Sequence, residues 1–489
     1  MNGEKVKGGA SMVKATLQGA VLLGLLAWSV PGYAEVQNVR VGGDVTVRAF
    51  HRENLDLHDN DAGADTTTGG LDETDDFFMT TTGLNVGADL TENISAFIRL
   101  ANERDWNVDG ASTGDLDISQ SYVTLKELFY SPLTLRVGAQ PIVWGRGFVL
   151  GSNLIPGLIN GTNDRNAAIT ANEFTDFTAF DAVRATLDLS GVAGMPWTVD
   201  YVYIKLDENI TGQADDVNLQ GVNVGTKFDS MESELEGYYL NKRDKNTVNG
   251  AGAVVENTGE GSVNTVGIRG SARPVAGSYL YAEGAYQFGN RASDPFGVGV
   301  AGNPIQAWAF DIGAEYTFED ISFTPKIGAE WIYFSGKDYD GAAPGWDPMA
   351  RGYFTTAIRE FQNPAPFYTP DQTCSTLSTT SGACLGSATN QQQFSLYGSL
   401  KPIEDLTVDQ RLSLFFLPVG AKPNGGTNPT AVGDRQTYAG MEWDTILTYD
   451  YTSDVQFGVI YAVFAPGDVY RSPTDSTAQE LVTSVSVKF

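Results

Sequence analysis

The sequence predicts a transmembrane antiparallel up-and-down β-barrel of about 18 strands, an all-β fold with short turns at one end and long loops at the other. Three observations predict it. Apolar and polar residues alternate with period two in one segment after another of roughly eight to fourteen residues. The connections between these segments are tight and long by turns. Finally, the stretch ELVTSVSVKF, residues 480–489, keeps the alternation up to an aromatic. There Leu481, Thr483, Val485, Val487 and Phe489 share one parity, and Glu480, Ser484, Ser486 and Lys488 share the other. In hydrocarbon every backbone N–H and C=O needs an internal partner, and a sheet meets that demand only by closing on itself. The apolar parity then faces lipid and the polar parity faces a wet lumen. A soluble propeller or sandwich would explain the alternation but not the asymmetry of the connections.

The elements follow in order. MNGEKVKGGASMVK carries three lysines against one glutamate, an apolar stretch follows around AVLLGLLAW, and VPGYA ends at Ala34. This order of basic, apolar and small residues predicts a secretory signal peptide over residues 1–34, with the barrel over 35–489. The apolar run is about ten residues, short of the roughly 20 that span a bilayer. No later run reaches that length, so a helical membrane protein is not expected.

In the first segment, VRVGGDVTVRAF, Val39, Val41, Val45, Val47 and Ala49 oppose Arg40, Asp44 and Arg48. In ISAFIRLANE, Ile94, Ala96, Ile98 and Leu100 oppose Arg99 and Glu103. In TVGIRGSARP, Val266 and Ile268 face away from Arg269 and Arg273. AWAFDIGAEYTF sets Trp308, Phe310, Ile312, Ala314, Tyr316 and Phe318 against Asp311 and Glu315, and DVQFGVIYAVF presents one apolar face from Val455 to Val463. The expected strands start near residues 39, 78, 94, 116, 133, 179, 197, 217, 231, 264, 279, 306, 321, 393, 405, 438, 454 and 479. Tight turns are expected at DLTEN, KFDS, FED and KPIED, and long loops near 51–76, 142–176 and 336–391. Short turns belong to the periplasmic side and long loops to the outside. Aromatics such as Trp197, Tyr201, Trp331, Tyr333 and Trp443 suit interfacial girdles.

Composition excludes some functions. A formal charge of −29 argues against nucleic acid as partner. The sequence G-A-S-T-G at Gly110–Gly114 has the form of a nucleophile elbow, but it lies in an expected loop, and His51 and His58 lie in a different loop. No enzyme activity and no cofactor are expected. Cys374 and Cys384 lie in a Ser/Thr/Gly-rich loop, where a stapling disulfide is expected. Asp59, Asp61 and Asp65 stand at spacings similar to part of a calcium loop, but without its full pattern, so a solvated acidic loop is the simpler expectation.

Particular residues carry a family resemblance. PLTLRVGAQPIVWGRG resembles a strand-and-turn element of the alginate-export family of outer-membrane barrels, and TAFDAVRATLDL resembles that family's "FDGVR" strand. GMEWDTILTYDYTSDVQFGVIYAVFAPGD is similar to its final hairpin, with the pattern falling on Glu442, Asp444, Pro466, Gly467 and Asp468. The resemblance implies an 18-stranded monomeric porin in the outer membrane of a Gram-negative-type bacterium, passing anionic polysaccharide outward through a cationic lumen. It also implies contacts with membrane lipid and lipopolysaccharide, and recognition of the aromatic Phe489 by the barrel-assembly machinery.

One departure concerns the cargo. The inferred lumenal parity is about balanced or slightly acidic, with Arg48, Arg99, Arg136, Arg184, Arg269 and Arg411 set against Asp188, Glu315, Glu442, Asp444 and other carboxylates. These residues, with Arg146, are the candidate pore lining. Each could instead belong to an Arg–carboxylate ladder that holds strand register. Arg136, Arg146 and Arg184 are the foremost candidates for contact with a solute, since guanidinium forks suit carboxylate or hydroxyl-rich molecules. The apolar, turn-rich stretch 145–166 could fold into the barrel mouth or pack over its rim. The expected function is passive passage of a charged or hydroxyl-rich small solute or polysaccharide. The alternatives are a general or cation-preferring diffusion porin, or a sleeve for a periplasmic electron-transfer partner.

Overall fold

A computed structural model describes residues 38–55, 57, 74–106, 116–130, 132–152, 170–190, 196–207, 216–244, 261–290, 304–336, 345–362, 389–421, 436–470 and 475–489. The expected signal peptide, Asp59, Asp61, Asp65, Cys374, Cys384 and the Gly110–Gly114 stretch lie outside these residues.

Eighteen strands form one sheet. They are β1 (Asn38–Glu53), β2 (Thr74–Thr91), β3 (Ile94–Asp105), β4 (Asp117–Leu125), β5 (Leu133–Gln140) and β6 (Phe180–Asp188). Then come β7 (Trp197–Asp207), β8 (Val217–Phe228), β9 (Ser233–Asp244), β10 (Gly261–Ala272), β11 (Ser278–Asn290) and β12 (Pro304–Thr317). Last are β13 (Lys326–Phe334), β14 (Gln391–Ile403), β15 (Leu406–Ala421), β16 (Gln436–Asp450), β17 (Val455–Pro466) and β18 (Ala478–Lys488). Each strand pairs antiparallel with its sequence neighbours, and β1 pairs with β18 from Asp44↔Lys488 to Glu53↔Gln479. The sheet is therefore a closed barrel. Phe489 extends the seam: its N–H donates to the Gly43 carbonyl at 3.0 Å, and its own carbonyl accepts from the Gly43 N–H at 2.8 Å.

A strand of about twelve residues tilted by roughly 45° crosses a bilayer's hydrocarbon core. One parity turns apolar side chains outward: Val41, Ile98, Ile268, Trp308, Leu396, Trp443 and Phe457 are all exposed. The other parity turns inward, where Glu103, Arg269, Glu283, Asp311, Glu330 and Glu442 are buried. Aromatic rings in stacked, tilted and edge-on contact run across the outer face from Tyr286 through Trp308 and Phe310 to Trp331, Phe394 and Phe416. Trp331, Tyr333 and Trp443 thus stand on the lipid side, as a girdle requires.

Even-numbered strands end in short connections and odd-numbered strands in long ones. Two strand starts, those of β2 and β13, differ most from the sequence expectation. β2 begins at Thr74, because the acidic stretch Thr74–Phe77 pairs with β1 as far as Glu53. β13 begins at Lys326, because Phe323 and Thr324 take positive φ (71° and 42°) and Pro325 follows them. A strand cannot run through that turn.

Candidate functional site

The lumen is not left open to its full width. Among the described residues, three of the longer loop pieces turn inward, and each packs on an apolar patch of the wall. Residues 141–152, following β5, bury Ile142, Trp144, Phe148, Val149 and Leu150 against Phe180, Ile204, Leu219, Leu240, Ile305 and Phe334. Residues 170–179 place Ala171 and Phe174 against Phe50, Met79 and Val482. Residues 345–362, following β13, bury Trp346, Met349 and Ala350 in the first patch and Ile358 in another formed by Phe415, Ala439, Phe464 and Tyr470. The apolar residues that made 145–166 odd for a solvated loop are thereby explained over 145–152, which enters the barrel. The remainder of that stretch lies outside the described residues.

Two of these arms join. Leu150 and Ala350 form a parallel bridge, with Ala350 N–H donating to Val149 O at 3.1 Å and Gly151 N–H donating to Ala350 O at 2.7 Å. Gly151 and Gly352 touch so closely that a Cβ on Gly352 would stand 2.4 Å from the Gly151 carbonyl carbon. The 345–362 arm is also fixed to the wall. The Gln287 amide exchanges two 2.8 Å hydrogen bonds with the backbone of Asp347, and Lys242 pairs with the Asp347 carboxylate. Arg351 pairs with Glu360 within the arm.

Below the apolar contacts runs a charged belt, on strand positions a few residues above the short turns. Arg146 is lowered into it from the tip of the 141–152 arm. Its neighbours Gly145 and Gly147 both have positive φ (56° and 81°), and a Cβ on Gly145 would strike the Arg269 side chain at 2.5 Å. The Arg146 guanidinium lies between the rings of Tyr281 and Tyr353, at 3.5 and 4.4 Å from their centroids. It donates to Glu330 at 3.0 Å and stands 3.6 Å from Asp311. Burial opposes its charge, but the Tyr353, Asp311, Tyr281 and Glu330 oxygens outweigh that and hold its pKa above the ordinary value. Burial, with Glu330 alongside, pushes the Tyr353 hydroxyl up in turn.

Glu330 is the hub of the belt. It accepts from the Tyr281 hydroxyl at 2.6 Å, the Tyr353 hydroxyl at 2.7 Å and the Arg411 guanidinium at 2.9 Å. Around the ring, Arg269 pairs with Glu236 at 2.8 Å, Arg184 with Asp200 at 2.9 Å, and Arg99 with both Asp44 (2.7 Å) and Asp176 (2.8 Å). Asp200 also accepts from the Trp144 indole at 2.8 Å, which ties the first arm to the wall. Glu315 accepts from the Tyr397 hydroxyl at 2.9 Å.

Arg48 and Arg136 stand apart. Arg48 donates to Thr81 at 3.3 Å and lies 4.8 Å from the Phe174 ring. Arg136 donates to Thr124 at 3.2 Å, lies 4.6 Å from the Tyr122 ring, and faces Arg184 directly across the β5–β6 pair. Asp188 sits exposed at the short-turn end of β6. Glu442 and Asp444 hold the lumenal parity, but the 345–362 arm covers them.

Sequence reasoning did not single out the tyrosines of the belt, nor Arg52, which pairs with Glu480 across the β1–β18 seam at 2.8 Å and with Glu173 of the 170–179 arm. The signal was present in part. Tyr281 lies two residues from Glu283 and so shares its face. Glu173 and Tyr353 sit in loops, where parity says nothing.

The alginate export family model matches residues 46–484, nearly the whole barrel from β1 to β18. The chain belongs to the alginate export family. Among solved structures, this family member is similar to Pseudomonas aeruginosa OccK2 (OpdF), with a TM-score of 0.52 and 11% identity over 93% of this chain and 98% of that chain. It is similar also to P. aeruginosa OccK3 (OpdO), with a TM-score of 0.51 and 10% identity over 93% and 96%. At such identities the likeness shows the fold alone. No curated protein matches the sequence. Family and barrel together make the chain an outer-membrane β-barrel channel of porin type.

Proposed function

We propose that this alginate-export-type barrel is a passive channel for small hydroxyl-rich or charged solutes, and not a cationic conduit for a long polyanion. One observation carries the proposal: nearly every arginine of the mid-lumen belt is matched by a carboxylate, in the Arg99–Asp44, Arg184–Asp200, Arg269–Glu236 and Arg146–Glu330–Arg411 pairs. A paired guanidinium presents little net field to a passing anion, whereas a polyuronate path needs a row of uncompensated charge. The belt nonetheless offers many fixed donors and acceptors, which suit hydroxyls. The inserted arms occupy bore that a periplasmic electron-transfer partner would need, which favours a channel over a sleeve. Slight acidity of the lumen and a net charge of −29 support a mild preference for cations. Within the proposal the barrel is a monomer, its outer face meets lipid and lipopolysaccharide, and Phe489 serves its assembly.

Single-channel recording with neutral oligosaccharides and oligouronates of matched length tests this. Blockade by the two at similar concentrations is expected. Blockade by oligouronate at concentrations about tenfold lower or more would return the channel to polyanion export.

A further inference from the structure

We propose that Glu442 and Asp444 are positioning residues that clamp the 345–362 arm across the lumen, and that docking of this arm sets how far the channel conducts. Both residues project from β16 on the lumenal parity, at 0% and 3% exposure. What they hold is backbone. Glu442 accepts from the Ile358 N–H through Oε1 at 2.6 Å and from the Arg359 N–H through Oε2 at 2.8 Å. Asp444 Oδ1 accepts from the Ala357 N–H at 3.4 Å. Three successive amides of the arm thus converge on two carboxylates, and Asp444 Oδ2 is buried with no hydrogen-bond partner.

Two carboxyl groups side by side on one strand, shut away from water, are costly to ionise unless hydrogen bonds or a cation offset the lost hydration. The hydrogen bonds come from the arm, while the barrel adds the Arg411 guanidinium, opposite Asp444 across the β15–β16 pair. With the arm withdrawn, both carboxylates face the wet lumen and regain hydration, so the wall accommodates either state. Ile358, at 0% exposure among Phe415, Ala439, Phe464 and Tyr470, supplies the apolar half of the contact. The other end of the arm is held independently, by Gln287, Lys242 and the 141–152 arm. The clamp therefore governs the 357–359 end alone, which is the arrangement of a strap fixed at one end and fastened at the other.

The chemistry of one substitution isolates the clamp. Glu442→Gln keeps size and shape but has a single acceptor oxygen, so its NH₂ meets an amide N–H, donor against donor. Ile358→Asn attacks the same contact from the arm and leaves Glu442 intact. The inference rests on the channel assignment, and two readouts separate their failures. In planar bilayers each variant is expected to raise single-channel conductance about twofold or more, with heat-modifiable gel migration unchanged. Independently, a thiol introduced by Ile358→Cys, in a chain carrying Cys374→Ser and Cys384→Ser, is expected to resist a membrane-impermeant thiol reagent and to react once Glu442→Gln is added. Folded variants with wild-type conductance, or a thiol equally protected in both backgrounds, would overturn the clamp. If Glu442→Gln does not fold, Ile358→Asn decides the matter by conductance. A wild-type barrel that conducts nothing would refute the channel but leave the thiol comparison to judge the docking.

Discussion

Arg146→Ala removes a belt cation that a loop lowers into the lumen, and its cost can be worked from its contacts. The guanidinium stacks between Tyr281 and Tyr353, an arrangement worth about 1–2 kcal/mol when partly desolvated. Its hydrogen bond to Glu330 is charge-assisted, worth about 1.5–3 kcal/mol. These contributions overlap and do not simply add. Glu330 keeps Arg411 as a partner, but Asp311, fully buried, loses the guanidinium 3.6 Å away. Both Asp311 oxygens already lack hydrogen-bond partners. Stranding that carboxylate brings the expected loss to roughly 3–5 kcal/mol. Urea unfolding from lipid vesicles, followed by tryptophan fluorescence, measures it. Adding Asp311→Asn to Arg146→Ala should recover about 1–2 kcal/mol, since the orphaned charge is then gone. A loss below about 1 kcal/mol, or no recovery in the double variant, would refute the view that Arg146 exists to neutralise this corner.

Other perturbations probe other joints. Gly352→Ala puts a Cβ 2.4 Å from the Gly151 carbonyl carbon, so the two arms must part, at a cost of about 1–3 kcal/mol in the same urea assay. Arg52→Leu leaves Glu173 and Glu480 buried without their shared cation, and should cost roughly 3–5 kcal/mol and raise hydrogen exchange in residues 170–177. Trp144→Phe keeps the ring but loses the 2.8 Å bond to Asp200, a loss of about 1.5–3 kcal/mol that a urea midpoint should resolve.

Much of the barrel was legible in the sequence, for a local reason. Lipid on one side and water on the other impose period two on each strand separately, so β3, β5, β7 and β8 begin where alternation begins. Failures came where local pattern misled. The Ile321–Thr324 stretch alternates, yet positive φ at Phe323 and Thr324 makes it a turn. Thr74–Phe77 reads as acidic loop, yet it extends β2 beside β1. In the candidate site, parity placed Arg99, Arg184, Arg269 and Arg411 on the inner wall, where each has a carboxylate partner. Parity could not say that Arg146 would descend from a loop to meet Glu330, 184 positions away in the chain, nor that the arm would cover Glu442 and Asp444. Those contacts depend on which apolar loop segment finds which apolar patch of wall. That is decided by closure of the whole barrel, and no short window of sequence carries it.

In a closed barrel whose lumenal charges cancel, reversal potential under a salt gradient measures that cancellation directly. Purified protein in a planar bilayer should give discrete conductance steps with a small reversal potential of the sign for cation preference. Absence of channels, or a large potential of the opposite sign, would contradict it.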